Sequence, residues 1–183
     1  MSTLLAGCGG DDAPKTVANV SVTGSPASGS ELHAAEIMPK LDDLGFKLTQ
    51  QGKPGATTNF QDVALAQYEK TASPAMGARV EISVLADVDT ATKQFAVLSE
   101  ALRNPPPDLF GPNAQQKDTS RSGPGDEGKS FVTAKPDGQG NFVWSDSYRF
   151  GRTFVIVYLL SNNEPEALKA RKAIAEHIQA RIK

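Results

Sequence analysis

Up to residue 30 the apolar positions keep no sustained period. Beyond that point they fall into two periods, one near 3.6 residues and one of 2. Leu32, Ala35, Ile37, Leu41 and Leu44 recur at helical spacing, which predicts a helix over 31–44. Pro39 lies inside it and Gly45 behind it, so a kink or a late start is expected, with the stop at the glycine. Phe46 to Gln50 alternates as a short strand, and 51–58 is a turn rich in Gly, Pro and Thr. Val63 to Thr71 and Arg79 to Ala86 read as strands. In the second, Val80, Ile82, Val84 and Ala86 face one side, and Arg79, Glu81 and Ser83 the other. Asp87 or Asp89 caps a helix over about 88–103 whose stripe is Ala91, Phe95, Leu98 and Leu102.

The period then fails. Asn104-Pro105-Pro106-Pro107 stops the helix, and 104–124 is polar, longer than the roughly 12–15 residues an ordinary connection needs. A strand follows near Gly128 to Ala134, then a turn at Lys135-Pro136-Asp137-Gly138. Asn141 to Phe150 and Arg152 to Leu160 pair as a hairpin about Gly151. Phe154 to Leu160 is apolar at both parities, the mark of a central strand covered on both faces. Asn163 caps the last helix, Glu166 stands at its third position, and Leu168, Ala175, Ile178 and Ile182 point inward. The order three strands then a helix occurs twice, which suggests two βββα pseudo-repeats. The expected fold is α+β: a mainly antiparallel sheet of about six strands with three helices across it.

Composition narrows the class. A hydrophobic fraction of 39%, charged residues at 22% and a net charge of -2 describe a folded chain with no basic footprint for nucleic acid. The longest apolar run, Phe154 to Leu160, is far too short to span a bilayer as a helix. One cysteine rules out an intrachain disulfide framework and a multi-cysteine zinc site. That cysteine ends Leu5-Ala6-Gly7-Cys8, which resembles the lipobox of bacterial lipoproteins. The resemblance implies diacylglyceryl transfer to the Cys8 thiol, cleavage just before it, and acylation of the new amino terminus. Residues 1–7 would be the end of a signal peptide, 8–30 a flexible tether, and 31–183 one folded domain with the long loop at 104–124. Only seven residues precede Cys8 and none is basic, so either the start lies upstream of Met1 or the match is accidental. Several acyl chains would hold the protein to a bacterial membrane on its periplasmic or surface side.

Gly123-Pro124-Gly125-Asp126-Glu127-Gly128-Lys129-Ser130 satisfies the phosphate-loop pattern G-x-x-x-x-G-K-S. Its context argues against a nucleotide site: no apolar strand precedes it, Phe131-Val132-Thr133 favours strand over helix, and two acids stand inside the cradle. Asp126 and Glu127 are adjacent, so alternation would send them to opposite faces and leave a solvated strand start. His33 has Glu36 three residues on, and His177 has no ligand at metal spacing. No nucleophile elbow or S-x-x-K sequence occurs. No cofactor and no catalytic residue is expected; a small enzyme or nucleotide binder is the second functional class.

The hairpin holds the remaining chemistry. Phe142, Trp144, Asp146, Tyr148 and Phe150 share one parity, and an acid among aromatics is costly to bury unpaired. Arg149 and Arg152 are its nearest cations in sequence. Two readings follow: a bulge that turns Asp146 to water, or an aromatic pocket with a polar anchor built from Trp144, Asp146, Tyr148, Arg149 and Arg152. Gly125-Asp126-Glu127 followed by Tyr148-Arg149-Phe150-Gly151 and an apolar strand resembles a feature of uncharacterised bacterial envelope lipoproteins over 125–182. Some of those have a PsbP-like α/β sandwich, and the resemblance carries no activity. The expected function is a non-catalytic, membrane-anchored envelope lipoprotein. Its domain would bind a small apolar ligand if the hairpin face encloses a cavity, or an envelope protein if an apolar patch is exposed.

Overall fold

The computed structural model describes residues 33–53, 60–104, 115–120 and 123–182. Among these, seven strands form one antiparallel sheet: β1 (Lys47–Gly52), β2 (Asp62–Lys70), β3 (Met76–Val84), β4 (Gln116–Asp118), β5 (Glu127–Thr133), β6 (Phe142–Phe150) and β7 (Thr153–Ser161). Their order across the sheet is β1-β2-β3-β7-β6-β5-β4. Three helices flank it: α1 (Ala34–Ile37), α2 (Val88–Ala101) and α3 (Glu164–Ile182). The α+β class and the antiparallel sheet are as the periodicity predicts. The added strand, β4, lies inside the stretch read as one long loop; at three residues it is too short to show alternation. Residues 105–114 and 121–122 of that loop, Cys8 and the tether lie outside the described residues.

The pleat sorts side chains onto two faces. Val80 and Ile82 of β3, Trp144 and Tyr148 of β6, and Val155, Val157 and Leu159 of β7 join one core with Ala167, Ile174, Ala175 and Ile178 of α3. Helix α1 completes that layer with Ala34 and Ile37. Tyr68 donates its hydroxyl to the Pro39 carbonyl at 2.7 Å there, and burial pushes its pKa up to about 12. The opposite face holds less. Helix α2 packs Phe95 edge-on against Phe154, with ring centroids 6.0 Å apart, and Leu102 joins Phe131 and Tyr158. Strand β7 is thus central and covered on both faces, as its unbroken apolar run requires.

Several local expectations change. The helix expected over 31–44 breaks into α1 and a 3-10 turn at Asp42–Leu44, because Pro39 has no N–H to continue the ladder. Gly45 follows the turn at φ 79, where only glycine is unstrained. Asp87 caps α2 by accepting from Thr90 N at 2.6 Å, and Asn163 caps α3 by accepting from Glu166 N at 3.1 Å. Leu168 is exposed, since the inward stripe of α3 runs one position earlier, through Ala167, Arg171, Ile174 and Ile178. The pseudo-repeat fails. Strands β3 and β7 are antiparallel neighbours, so a two-fold relating the halves would stand perpendicular to the sheet and keep both helices on one face. Helices α2 and α3 lie on opposite faces.

Candidate functional site

The predicted hairpin cluster proves to be core. Trp144, Asp146, Tyr148 and Phe150 do share one face of β6, but α3 lies on it. The strand register through Asp146 is regular on both sides, so no bulge turns it to water. Asp146 is wholly buried, and its partner is neither Arg149 nor Arg152 but Arg171, one turn after Ala167 on α3. Arg171 Nε donates to Asp146 Oδ2 at 2.7 Å and Nη2 to Oδ1 at 2.5 Å, and the Ser130 hydroxyl donates to Oδ1 as well. The fork satisfies both carboxylate oxygens, which is what a buried pair needs to repay desolvation. Trp144 walls a hollow of about 480 Å³ with Phe142, Lys117 and Glu164, yet shows only 4% of its surface. It is a wall and not a stacking platform.

Arg149 points to the other face. Its Nε donates to Glu127 Oε1 at 2.7 Å and its Nη1 to Asp126 Oδ2 at 3.1 Å. Asp126 Oδ2 also accepts the Gly151 N–H at 2.7 Å, which fixes the β6–β7 turn at φ 55. Asp126 and Glu127 therefore converge on one cation. Alternation does not separate them because Asp126 precedes β5, just after Gly125 at φ 135. Asp126 and Glu127 thus meet Arg149 and Gly151 in one network, while Tyr148 and Phe150 lie in the core on the other face. Arg152 sits apart, with Nη1 donating to Gln61 Oε1 at 3.1 Å.

Every residue type that makes Gly123 to Ser130 look like a phosphate loop has other work. Gly128, Lys129 and Ser130 lie within β5, where a phosphate loop needs a helix start. Lys129 Nζ faces Glu100 at 3.4 Å, and Ser130 is bound to Asp146. Gly123 lies against α3: a Cβ there would stand 2.4 Å from Ala175 Cβ and 3.2 Å from Tyr148 Oη. Gly123→Ala is accordingly expected to cost about 1–3 kcal/mol by overpacking, read as a lowered thermal midpoint. An unchanged midpoint would remove the close-packing role. His33 is exposed, 3.7 Å from Asp62, and His177 Nε2 lies 3.2 Å from Asp43.

The open site is on the α2 side, where that helix leaves β1, β2 and β3 uncovered. A cleft of about 300 Å³, open to solvent, is lined by Thr49, Gln67, Glu69, Gly77, Arg79, Val143, Tyr158 and Leu160. Cross-strand pairing aligns these residues: Gln67, Arg79 and Tyr158 form one row, and Glu69, Gly77, Leu160 and Val143 the next. Gly77 makes the depression, since the residue there has no side chain between Glu69 and Leu160. Arg79 Nη2 pairs with Glu81 Oε1 at 2.7 Å, so the rim carries a compensated ion pair over an apolar floor. Burial pushes the Tyr158 hydroxyl pKa up, and Glu81 nearby adds to that. At neutral pH it stays a neutral phenol. Such a surface can seat an apolar group beside polar rim contacts.

None of these lining residues was singled out as a site by sequence. The alternation that placed Arg79, Glu81 and Ser83 on one side of β3 was the available signal; Tyr158 and Leu160 were hidden in a strand apolar at both parities. Arg171 had a signal too, a cation in the apolar stripe of the last helix.

No protein-family model matches the chain, and no curated protein matches it. Among solved structures the chain is similar to the crystal structure of the extracellular domain of PknH from Mycobacterium tuberculosis. The two share 7% identity with a TM-score of 0.52, over 81% of this chain and 92% of that one. At that identity the likeness is one of fold.

Proposed function

We propose that this chain is a non-catalytic, lipid-anchored domain of the bacterial envelope that holds an apolar group of a protein partner in the cleft over Gly77. The observation that carries the binding role is the unequal cover of the sheet: α1 and α3 cover the core on one face, while on the other α2 leaves an apolar depression over Gly77 open to solvent. A cleft of about 300 Å³ lies at the lower limit for small-ligand pockets, and this one is open, which favours a partner's side chains over a free ligand. A non-catalytic role is supported by the use made of Asp146. It is the one wholly buried carboxylate among the described residues, and Arg171 and Ser130 occupy it. The envelope placement draws on Leu5-Ala6-Gly7-Cys8 and on the likeness in fold to an extracellular domain.

Two measurements test the reading. Made in a bacterium from its full upstream frame, the protein should begin at Cys8, carry added acyl mass and partition into detergent, and Cys8→Ala should lose all three. A soluble, unprocessed wild type would sink the anchor. Gly77→Leu should fill the cleft, and its Cβ makes only an ordinary contact there, with Leu160 Cβ at 3.8 Å. Cross-linking in cells should then recover an envelope partner from the wild type and not from Gly77→Leu. Equal recovery from both would sink the cleft as the site.

A further inference from the structure

We propose that α2 is a cover that opens separately from the rest of the fold and is latched at its C-terminal end by Arg103. The two faces of the sheet are closed by different chemistry. Under α3 the contact is apolar along its length and is pinned by the buried Arg171–Asp146 fork. Under α2 there are two small apolar clusters, Phe95 on Phe154 and Leu102 on Phe131 and Tyr158. Ile156 touches both clusters, and beside it the seam is polar: the Ser147 hydroxyl donates to Ser99 Oγ at 3.0 Å, and both serines are wholly buried. On opening, those hydroxyls exchange each other for water at little cost, so this layer loses far less than α3 would.

The apolar clusters hold α2 along its length, and a further tie lies at its C-terminal end. Arg103 donates to both oxygens of Asp118, from Nη1 at 3.1 Å and Nη2 at 3.0 Å, and it also pairs with Glu100. Its guanidinium stands 5.0 Å from the Phe131 ring centroid. Asp118 belongs to β4, so this fork ties the end of α2 to the sheet edge. The members are one-third to three-quarters exposed, so the latch is open to salt. Tyr158 gives the opening its consequence: it packs under Leu102 and also walls the cleft. Lifting α2 would lengthen the cleft toward β6. That consequence rests on the cleft being the binding site; the opening does not.

Hydrogen exchange followed by mass spectrometry on the free full-length chain tests the opening without any partner. Peptides within 89–101 are expected to exchange at least about tenfold faster than those within 167–180, relative to their intrinsic rates. Arg103→Ala should speed the first set by about a further tenfold and leave the second unchanged. In 1 M sodium chloride the wild type should approach the variant, while the variant itself responds little. Equal protection of both helices would overturn the proposal, as would an α2 insensitive to both Arg103→Ala and salt.

Discussion

Arg171→Met is expected to destabilise the fold by about 3–5 kcal/mol, since it removes the guanidinium fork from the buried Asp146 carboxylate. Asp146→Leu should cost a similar amount for the mirror reason: a guanidinium 2% exposed cannot reach water without moving α3. The double variant, with both charges replaced by apolar groups of similar volume, should recover most of the loss. Urea denaturation of the four proteins gives the coupling directly. Single variants that each lose less than about 1 kcal/mol would show that the pair is not what holds α3 to the sheet. Adding a stable double to that result would point to water reaching the site.

Trp144→Ala is the second large effect, about 3–5 kcal/mol, from the cavity left in the core. Its interest lies in what should not change. If Trp144 is only packed, the variant's binding through the open cleft should match the wild type once compared at a temperature where both are folded. A variant of near-native stability that has lost its partner would return Trp144 to the role its sequence neighbourhood suggested.

The contrast between these residues shows where sequence reading held. Elements were legible where one face is wet: β3 alternates because its odd positions meet solvent or the cleft and its even positions meet α3. The caps at Asp87 and Asn163 were legible because the orphan N–H groups they satisfy are local. The pairing of Asp146 was not, because its partner arrives from α3, a helix that the chain reaches only after β7. Proximity in sequence favoured Arg149 and Arg152, yet in a strand the neighbour of Asp146 points to the other face. The candidate pocket went the same way: aromatic residues on one parity mark a buried face, and only the tertiary cover decides whether that face is a cavity or a core. The open cleft was obscured for the opposite reason, since Tyr158 and Leu160 lie in a strand that had to be apolar throughout.

The order of strands has a consequence for how the chain is made. The centre of the sheet is the seam between β3 and β7, which joins Gly77 to Leu160 and Val84 to Thr153. The hairpins on either side are local, but this seam closes over everything between them in the sequence, so its loop-closure cost falls late in folding. Until Thr153 and the strand after it have been synthesised, β3 stands as a bare edge with Val80 and Ile82 uncovered. An unfinished or prematurely terminated chain therefore carries an adhesive strand that the complete one hides. Fragments ending before Thr153 should precipitate or recruit chaperones, and adding residues through Ile182 should cure them.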